Sequence, residues 1–351
     1  MSKRKTPPIR TSDSDYTEEE QRLILQYVKE LRQVELKEFL ASTGHLRSGT
    51  KKILLDRIDE SLAEGTIALV DLVDLLDQVE PWSAQHVFLL GEPNADVTAF
   101  RDPHEFEAHL KNHRASKPFR QPIQLALPEE LVVSSITHDG ARLRVTAIER
   151  RDGWHRDHGQ DQRTIGPGGE TIELRAYVNT VSRGLVMFEW DLIANQAVMQ
   201  VTQLPSGWTY DDAFGRFVDV TKTWLPVATF PTLNLRRAIS TFHEAEENKS
   251  NDLRSHGIEY ETHGGRRVAG KSATPRDSVL GETVVDTAMH QIRDAGVGRS
   301  GNFYFDVTGV PGSQRGEAHA IIFAEAGRIN FPTSNPEEVV RHVLDRIRAA
   351  C

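Results

Sequence analysis

The sequence predicts an α+β fold: a small N-terminal helical module followed by a larger, mainly antiparallel α+β region. Three observations predict it. Apolar residues recur at helical spacing through residues 15–80. From Leu131 to Leu204 the pattern becomes short strand-like runs divided by turn dipeptides, Asp139-Gly140 foremost. The last third then alternates short strands with amphipathic helices, an order that suits α+β architecture.

Taken in order, residues 1–14 are polar and Pro/Ser-rich and read as a disordered tail. Asp15 to Gln33 reads as a helix, with Thr17 and Glu20 in a capping-box pattern and Leu23, Ile24, Tyr27, Val28 and Leu31 on one face. Val34 to Thr43 forms a second helix, stopped by Gly44. Thr50 to Ala63 forms a third, with Ile53, Leu54, Ile58 and Leu62 inward. Thr66 is expected to cap a fourth helix to Glu80, whose outer face carries Asp71, Asp74, Asp77 and Glu80. The helical domain thus spans 15–80 and the α+β region 81–351, with a subdivision suggested near 248–256.

Within that region Gln85 to Leu90 is a strand, and Asp102-Pro103 opens a helix with Asp as cap. Leu131 to His138 and Arg142 to Glu149 flank Asp139-Gly140. Thr171 to Val181 and Leu185 to Leu192 flank Arg183-Gly184, read as a second hairpin turn, and residues 150–170 read as a mobile loop. Ala197 to Leu204 is a further strand. Tyr210 to Trp224, Thr232 to Glu247, Gly281 to Ala295 and Pro336 to Ala349 read as helices. Strands are expected at Ile258 to Thr262, Arg266 to Ala269, Asn302 to Val307, Glu317 to Phe323 and Arg328 to Phe331.

Composition narrows the function classes. The chain has 351 residues, 38% hydrophobic and 26% charged, ample for a large core. No apolar run approaches bilayer length, so no membrane partner is expected, and the start Met-Ser-Lys-Arg-Lys does not read as a signal peptide. Cys351 is the only cysteine, which excludes disulfides within the chain and thiolate zinc sites and suits a reducing cytoplasm. A net charge of −9 argues against coating nucleic acid by bulk charge. A local basic footprint remains open.

Such a footprint lies between Gly44 and Arg57, where four Lys/Arg face one acid, Asp56, for a local charge of +3. Ser48 and Gly49 let the backbone turn tightly into a helix whose N-terminal N–H groups form a phosphate seat. His45, Arg47, Ser48, Gly49, Thr50, Lys51, Lys52 and Arg57 surround it. The residues Glu35-Leu36-Lys37, Gly44, Ser48-Gly49-Thr50-Lys51 and Leu54-Leu55-Asp56-Arg57-Ile58 together resemble the SAP domain, a helix-extension-helix module, over about residues 27–64. His45 stands where that family usually has Leu. The resemblance implies binding to double-stranded DNA with a modest preference for AT-rich duplex. About four phosphate contacts would give a log-log salt slope of roughly −3 to −4.

Other motifs are weaker. Gly265 to Ser272 matches the letters of a P-loop, but Pro275 follows where a helix is needed, so a hairpin with a basic tip is expected. Gly296-Val-Gly298-Arg-Ser-Gly301 matches a dinucleotide fingerprint in the wrong order, helix before strand, and reads as a loop. Glu105, His109 and His113 share a helical face without a third strong metal ligand. Glu189 and Asp191 share one strand face, as a metal-dependent nuclease would require, without a nearby Lys. Trp154, Trp190, Trp208 and Trp224 read mostly as core or turn packers. Arg236, Arg237, Arg254, Arg266, Arg267 and Lys271 could supply a second basic surface.

The expectation is therefore a cytoplasmic, nucleoid-associated DNA-binding protein, suited to a bacterial regulator, with no cofactor and no identified catalytic residue. The region 81–351 is expected to serve regulation, oligomerisation or partner binding. Two alternatives stand beside it: a DNA-processing nuclease tethered by the SAP-like module, and a protein-interaction scaffold.

Overall fold

The computed structural model describes residues 16–248, 252–313 and 316–351. The tail expected at 1–14 and part of the boundary expected at 248–256 lie outside the described residues. The chain divides into two compact units. One comprises the chain up to Pro81 with Ile123–Ala126; the other comprises Trp82–Pro122 and Leu127–Cys351.

The first unit is helical: α1 (Glu18–Glu30), α2 (Gln33–Ser42), α3 (Lys51–Ala63) and α4 (Leu69–Val79). Thr17 and Glu20 close a reciprocal capping box at α1. α1 packs on α4 and α2 on α3. Ile24, Val28, Leu36, Leu40, Leu54, Ile58, Leu72 and Leu76 are buried between them. Two expectations are corrected here. Thr66 does not cap α4: the cap is Ala68, whose N–H donates to the Asp71 carboxylate at 2.8 Å, while the Thr66 hydroxyl donates to the Ser61 carbonyl. Ile53 is 46% exposed and not inward, because the inward face of α3 is taken by Leu54, Ile58 and Ser61.

The second unit is α+β. Among the described residues its main sheet has ten strands: β1 (Gln85–Leu90), β2 (Val132–His138), β3 (Arg142–Arg156), β6 (Tyr177–Asp191), β7 (Gln196–Thr202), β8 (Leu253–Thr262), β9 (Arg267–Lys271), β10 (Gly296–Asp306), β11 (Glu317–Phe323) and β12 (Arg328–Phe331). Their order is β2-β3-β6-β7-β1-β12-β11-β10-β8-β9, with every neighbouring pair antiparallel. Hairpin chemistry makes this possible. Asp139 accepts from the N–H groups of Ala141 and Arg142, Gly140 takes φ 93°, and Asn195 takes φ 54° between β6 and β7.

β1 joins two cores. Phe88 and Leu90 enter one with Val186, Phe188, Trp190 and Met199, covered by α6 (Pro103–Asn112) and α7 (Tyr210–Thr221). A short helix, α5 (Thr98–Arg101), brings Phe100 into the same core. Val87 and Leu89 enter the other with Phe303, Phe305, Ile322 and Phe331, covered by α8 (Arg236–Glu247), α9 (Thr283–Asp294) and α10 (Glu337–Ala350). A strand buried on both faces reads as an unbroken apolar run, as Val87-Phe-Leu-Leu90 does. Among the described residues no helix is long and apolar enough to cross a membrane.

The segment expected as a mobile loop is ordered. β3 continues to Arg156 and pairs with β6 without interruption, from Arg150↔Arg183 to Arg156↔Tyr177. β4 (Gln162–Ile165) and β5 (Thr171–Leu174) then form a separate two-stranded sheet. Arg183-Gly184 is mid-strand and not a turn. Its glycine answers to a neighbour: a Cβ there would lie 1.9 Å from Nε of Arg151. The Gly296–Gly301 run is likewise strand and not loop. A Cβ on Gly298 would lie 2.7 Å from Cβ of Ile239, so the glycine lets α8 approach β10.

Candidate nucleic-acid interface

The α2–α3 turn is built from local chemistry. α2 ends in a Schellman arrangement: Gly44 takes φ 80°, its N–H donates to the Ala41 carbonyl, and the His45 N–H donates to the Leu40 carbonyl at 2.7 Å. Gly49 takes φ 135°, and a Cβ there would lie 2.8 Å from Cγ2 of Ile53. Thr50 caps α3 by accepting from the Ile53 N–H, and Gln33 Nε2 donates to the Gly49 carbonyl at 2.6 Å. The path from α2 into α3 is thereby fixed.

The eight expected residues separate into two groups. His45 is held inside the unit, its ring nitrogens each 3.2 Å from the hydroxyls of Thr43 and Thr66. Arg57 donates to the carbonyls of Leu46 and Ser48 and so ties the extension onto α3. These two position the turn and do not stand ready for a ligand. Arg47, Ser48, Gly49, Thr50 and Lys52 are exposed and Lys51 is half-buried. Among the described residues, the side chains of Arg47, Lys51 and Lys52 make no hydrogen bond or ion pair. Sequence reasoning missed two exposed apolar residues of this segment, Leu46 at 72% and Ile53 at 46%.

α3 shares one electrostatic feature with α8, which also begins with two cations, Arg236-Arg237, and has no acid in its first turn. A helix N-terminus favours acids, and α1 begins with Glu18, Glu19 and Glu20. α3 begins with Lys51 and Lys52 and has no acid in its first turn. Two cations therefore sit against the positive end of the helix, an arrangement that a phosphate would relieve.

The remaining motifs of the sequence are occupied otherwise. Glu189 is 4% exposed and clamped by Arg144, at 2.8 and 2.9 Å, and by Arg341, at 2.5 and 2.7 Å. Burial would raise its carboxyl, but these two guanidiniums outweigh it and hold the group below the usual carboxylate value. Asp191 accepts from the N–H groups of Ile193 and Ala194 and shapes the turn after β6. His109 Nε2 donates to the Trp224 carbonyl at 2.8 Å, which fixes the orientation of its ring against the core. No group of three His, Cys, Asp or Glu residues among the described residues is arranged to hold a metal ion. Gly265 lies in the β8–β9 turn at φ 74°, so the P-loop letters fall on a hairpin. Arg254 is paired with Glu317 and stacked over Tyr304, which removes it from any free basic surface. Trp190 and Trp224 are core residues and Trp208 sits at the turn after Pro205 with Arg216 over its ring, whereas Trp154 is 68% exposed, contrary to its expected packing. No family model matches this chain, and no curated protein matches it.

Proposed function

We propose that the helical unit engages double-stranded DNA through the Arg47–Lys52 turn, while the α+β unit supplies regulation or partner binding. The observation that carries this reading is the helix begun by Lys51-Lys52 without an acid, beside the exposed Arg47 and the Gly49 turn. The likeness of Glu35-Leu36-Lys37, Gly44 and Ser48-Gly49-Thr50-Lys51 to a SAP module supports it. With Arg57 and His45 engaged internally, three cations remain for phosphate, and the expected log-log salt slope becomes about −3. Such contacts position the protein on the duplex more than they select sequence. A cytoplasmic, nucleoid-associated location follows from this reading.

The test is a fluorescence-anisotropy titration of duplex DNA with the full chain and with Arg47→Ala/Lys51→Ala/Lys52→Ala at two salt concentrations. The triple variant should lose most of its affinity at low salt. Unchanged affinity would overturn the proposal. A second reading, a protein-interaction scaffold, is favoured by the exposed Leu46 and Ile53. Absent or salt-insensitive DNA binding would select it.

A further inference from the structure

Arginine is spent in one part of the second unit and left over in another. In the arm formed by residues 150–183, Arg150 pairs with Asp152, Arg156 with Asp161, and Arg175 lies 3.7 Å from Glu173. At the root of the arm, Arg151 is 1% exposed and donates to Glu149 at 3.0 Å and to the carbonyls of Thr202 and Gln203. At the opposite end of the β3–β6 pairing the pattern reverses. Arg142 faces Asp191 across the strands, but that carboxylate is taken by the N–H groups of Ile193 and Ala194. Among the described residues, the side chains of Arg120 and Arg142 make no hydrogen bond or ion pair.

Both arginines line a cleft of about 490 Å³, built wholly from the second unit. Three other lining residues form a row across the sheet: Thr137 on β2 lies opposite Arg144 on β3, which lies opposite Glu189 on β6. Arg142 precedes Arg144 by two positions and shares its strand face. Beyond β2 the chain around Arg120 is laced to the strand edge: the Ile136 N–H donates to the Pro118 carbonyl and the Arg120 N–H to the Ile136 carbonyl. Arg120 is thereby held at φ 58°, in the left-handed region that residues with a Cβ avoid, with its guanidinium 5.0 Å from the Phe119 ring.

Arg144 is aimed by its partners. The buried Glu189 accepts from its Nε and Nη2, and Glu337 accepts from Nη2. Arg341 meets both carboxylates, so these four charges balance, and Nη1 of Arg144 stays uncommitted among the described residues. The other polar lining groups are occupied. His138 donates through Nε2 to the Phe100 carbonyl and accepts at Nδ1 from the Gly140 N–H, and Asp139 accepts from the Ala141 and Arg142 N–H groups.

The cleft therefore presents two unpaired guanidiniums, a third that is pre-oriented, and the exposed Thr137 hydroxyl, all of them donors. Guanidinium forks match the paired oxygens of carboxylate and phosphate groups. The volume is that of a small-molecule site and not of a duplex-sized groove. We infer that the cleft binds a small ligand through a phosphate or carboxylate group, held by Arg120, Arg142 and Arg144, with Glu189 and Arg341 positioning Arg144. This inference is independent of the DNA reading.

Isothermal titration calorimetry of the full chain at low ionic strength, with inorganic phosphate and with citrate as separate probes, tests it. At least one probe should bind a single saturable site with a Kd of about 1 mM or lower, and the tighter probe identifies the oxyanion. Arg120→Asn/Arg142→Gln should weaken binding by roughly a hundredfold, Asn being chosen because it tolerates φ 58°. Arg47→Ala/Lys51→Ala/Lys52→Ala should leave it unchanged. Should the double variant fail to fold, Arg142→Gln alone, at an exposed strand position, gives the second reading, with a loss of about tenfold. Absence of saturable binding for both probes overturns the inference. So does binding indifferent to the cleft changes, or binding lost in the turn variant, which would place the anion at the α2–α3 turn instead.

Discussion

The α2–α3 turn and the root of the arm hold their arginines and lysines in opposite ways. In the turn, Arg47, Lys51 and Lys52 stand without partners among the described residues, at a helix end that already carries partial positive charge. At the root, Arg151 is buried, paired with Glu149 and bound to two carbonyls. A basic residue in a sequence announces charge but not its destination. The difference between the two regions lies in whether the fold neutralises that charge internally, and only unneutralised charge is available to a ligand.

The largest expected effect lies at the root. Arg151→Met would leave Glu149, 2% exposed, with Arg216 alone as its ion-pair partner. Breaking a buried pair from one side costs about 3–5 kcal/mol, so denaturant unfolding should show a loss of that order. DNA affinity of the folded protein should be unaffected. A loss below about 1 kcal/mol would mean that Arg151 and Glu149 are not a stabilising buried pair and would erase the contrast.

A second effect separates the units by pH. His86 lies against Tyr210, with ring centroids 3.7 Å apart and the planes tilted by 31°, and burial, with Arg328 adding, pushes its imidazole down to about 4. The folded state therefore keeps His86 neutral where the unfolded chain, near 6.5, takes up a proton. Stability of the larger unit should be full above pH 6.5 and fall by about 3 kcal/mol as the pH drops toward 4. His86→Phe should flatten that part of the stability profile. An unchanged profile would assign the dependence to other groups.

Smaller still is Gly49→Ala. It removes no charge, but it forces a side chain onto φ 135° and against Ile53. A cost of about 1–3 kcal/mol is expected in the helical unit, with weakened DNA binding through a displaced Arg47 and Lys51. Binding that survives this change intact would show that charge alone, without the shaped turn, is sufficient.

The same contrast explains what could be read from the sequence. The helical unit was legible because its signals are local: Thr17 with Glu20, Gly44 after α2, and Gly49 before α3 each act within a few residues. The Asp139-Gly140 hairpin and the unbroken run of β1 were legible for the same reason. The arm was not. Gly184 has the look of a turn residue, but its small size serves Arg151, more than thirty positions earlier in the chain. Gly298 similarly serves the approach of α8. Within the turn itself, Arg57 and His45 counted as ligand-facing because their bonds to the Leu46 and Ser48 carbonyls and to Thr43 and Thr66 depend on a path that composition does not reveal. Ile53 was assigned inward because an apolar residue on an amphipathic helix ordinarily belongs to the core, and Leu46 escaped notice because it lies in the extension, where no periodicity applies.

The most direct measurement is the salt dependence of duplex DNA binding by three full-length proteins: wild type, Arg47→Ala/Lys51→Ala/Lys52→Ala, and Arg150→Ala/Arg175→Ala in the arm. Free charge in the turn and spent charge in the arm predict a log-log slope of about −3 for the wild type and the arm variant, collapsing toward zero for the turn variant alone. Equal slopes for wild type and turn variant, or a collapse caused by the arm changes, would contradict the account.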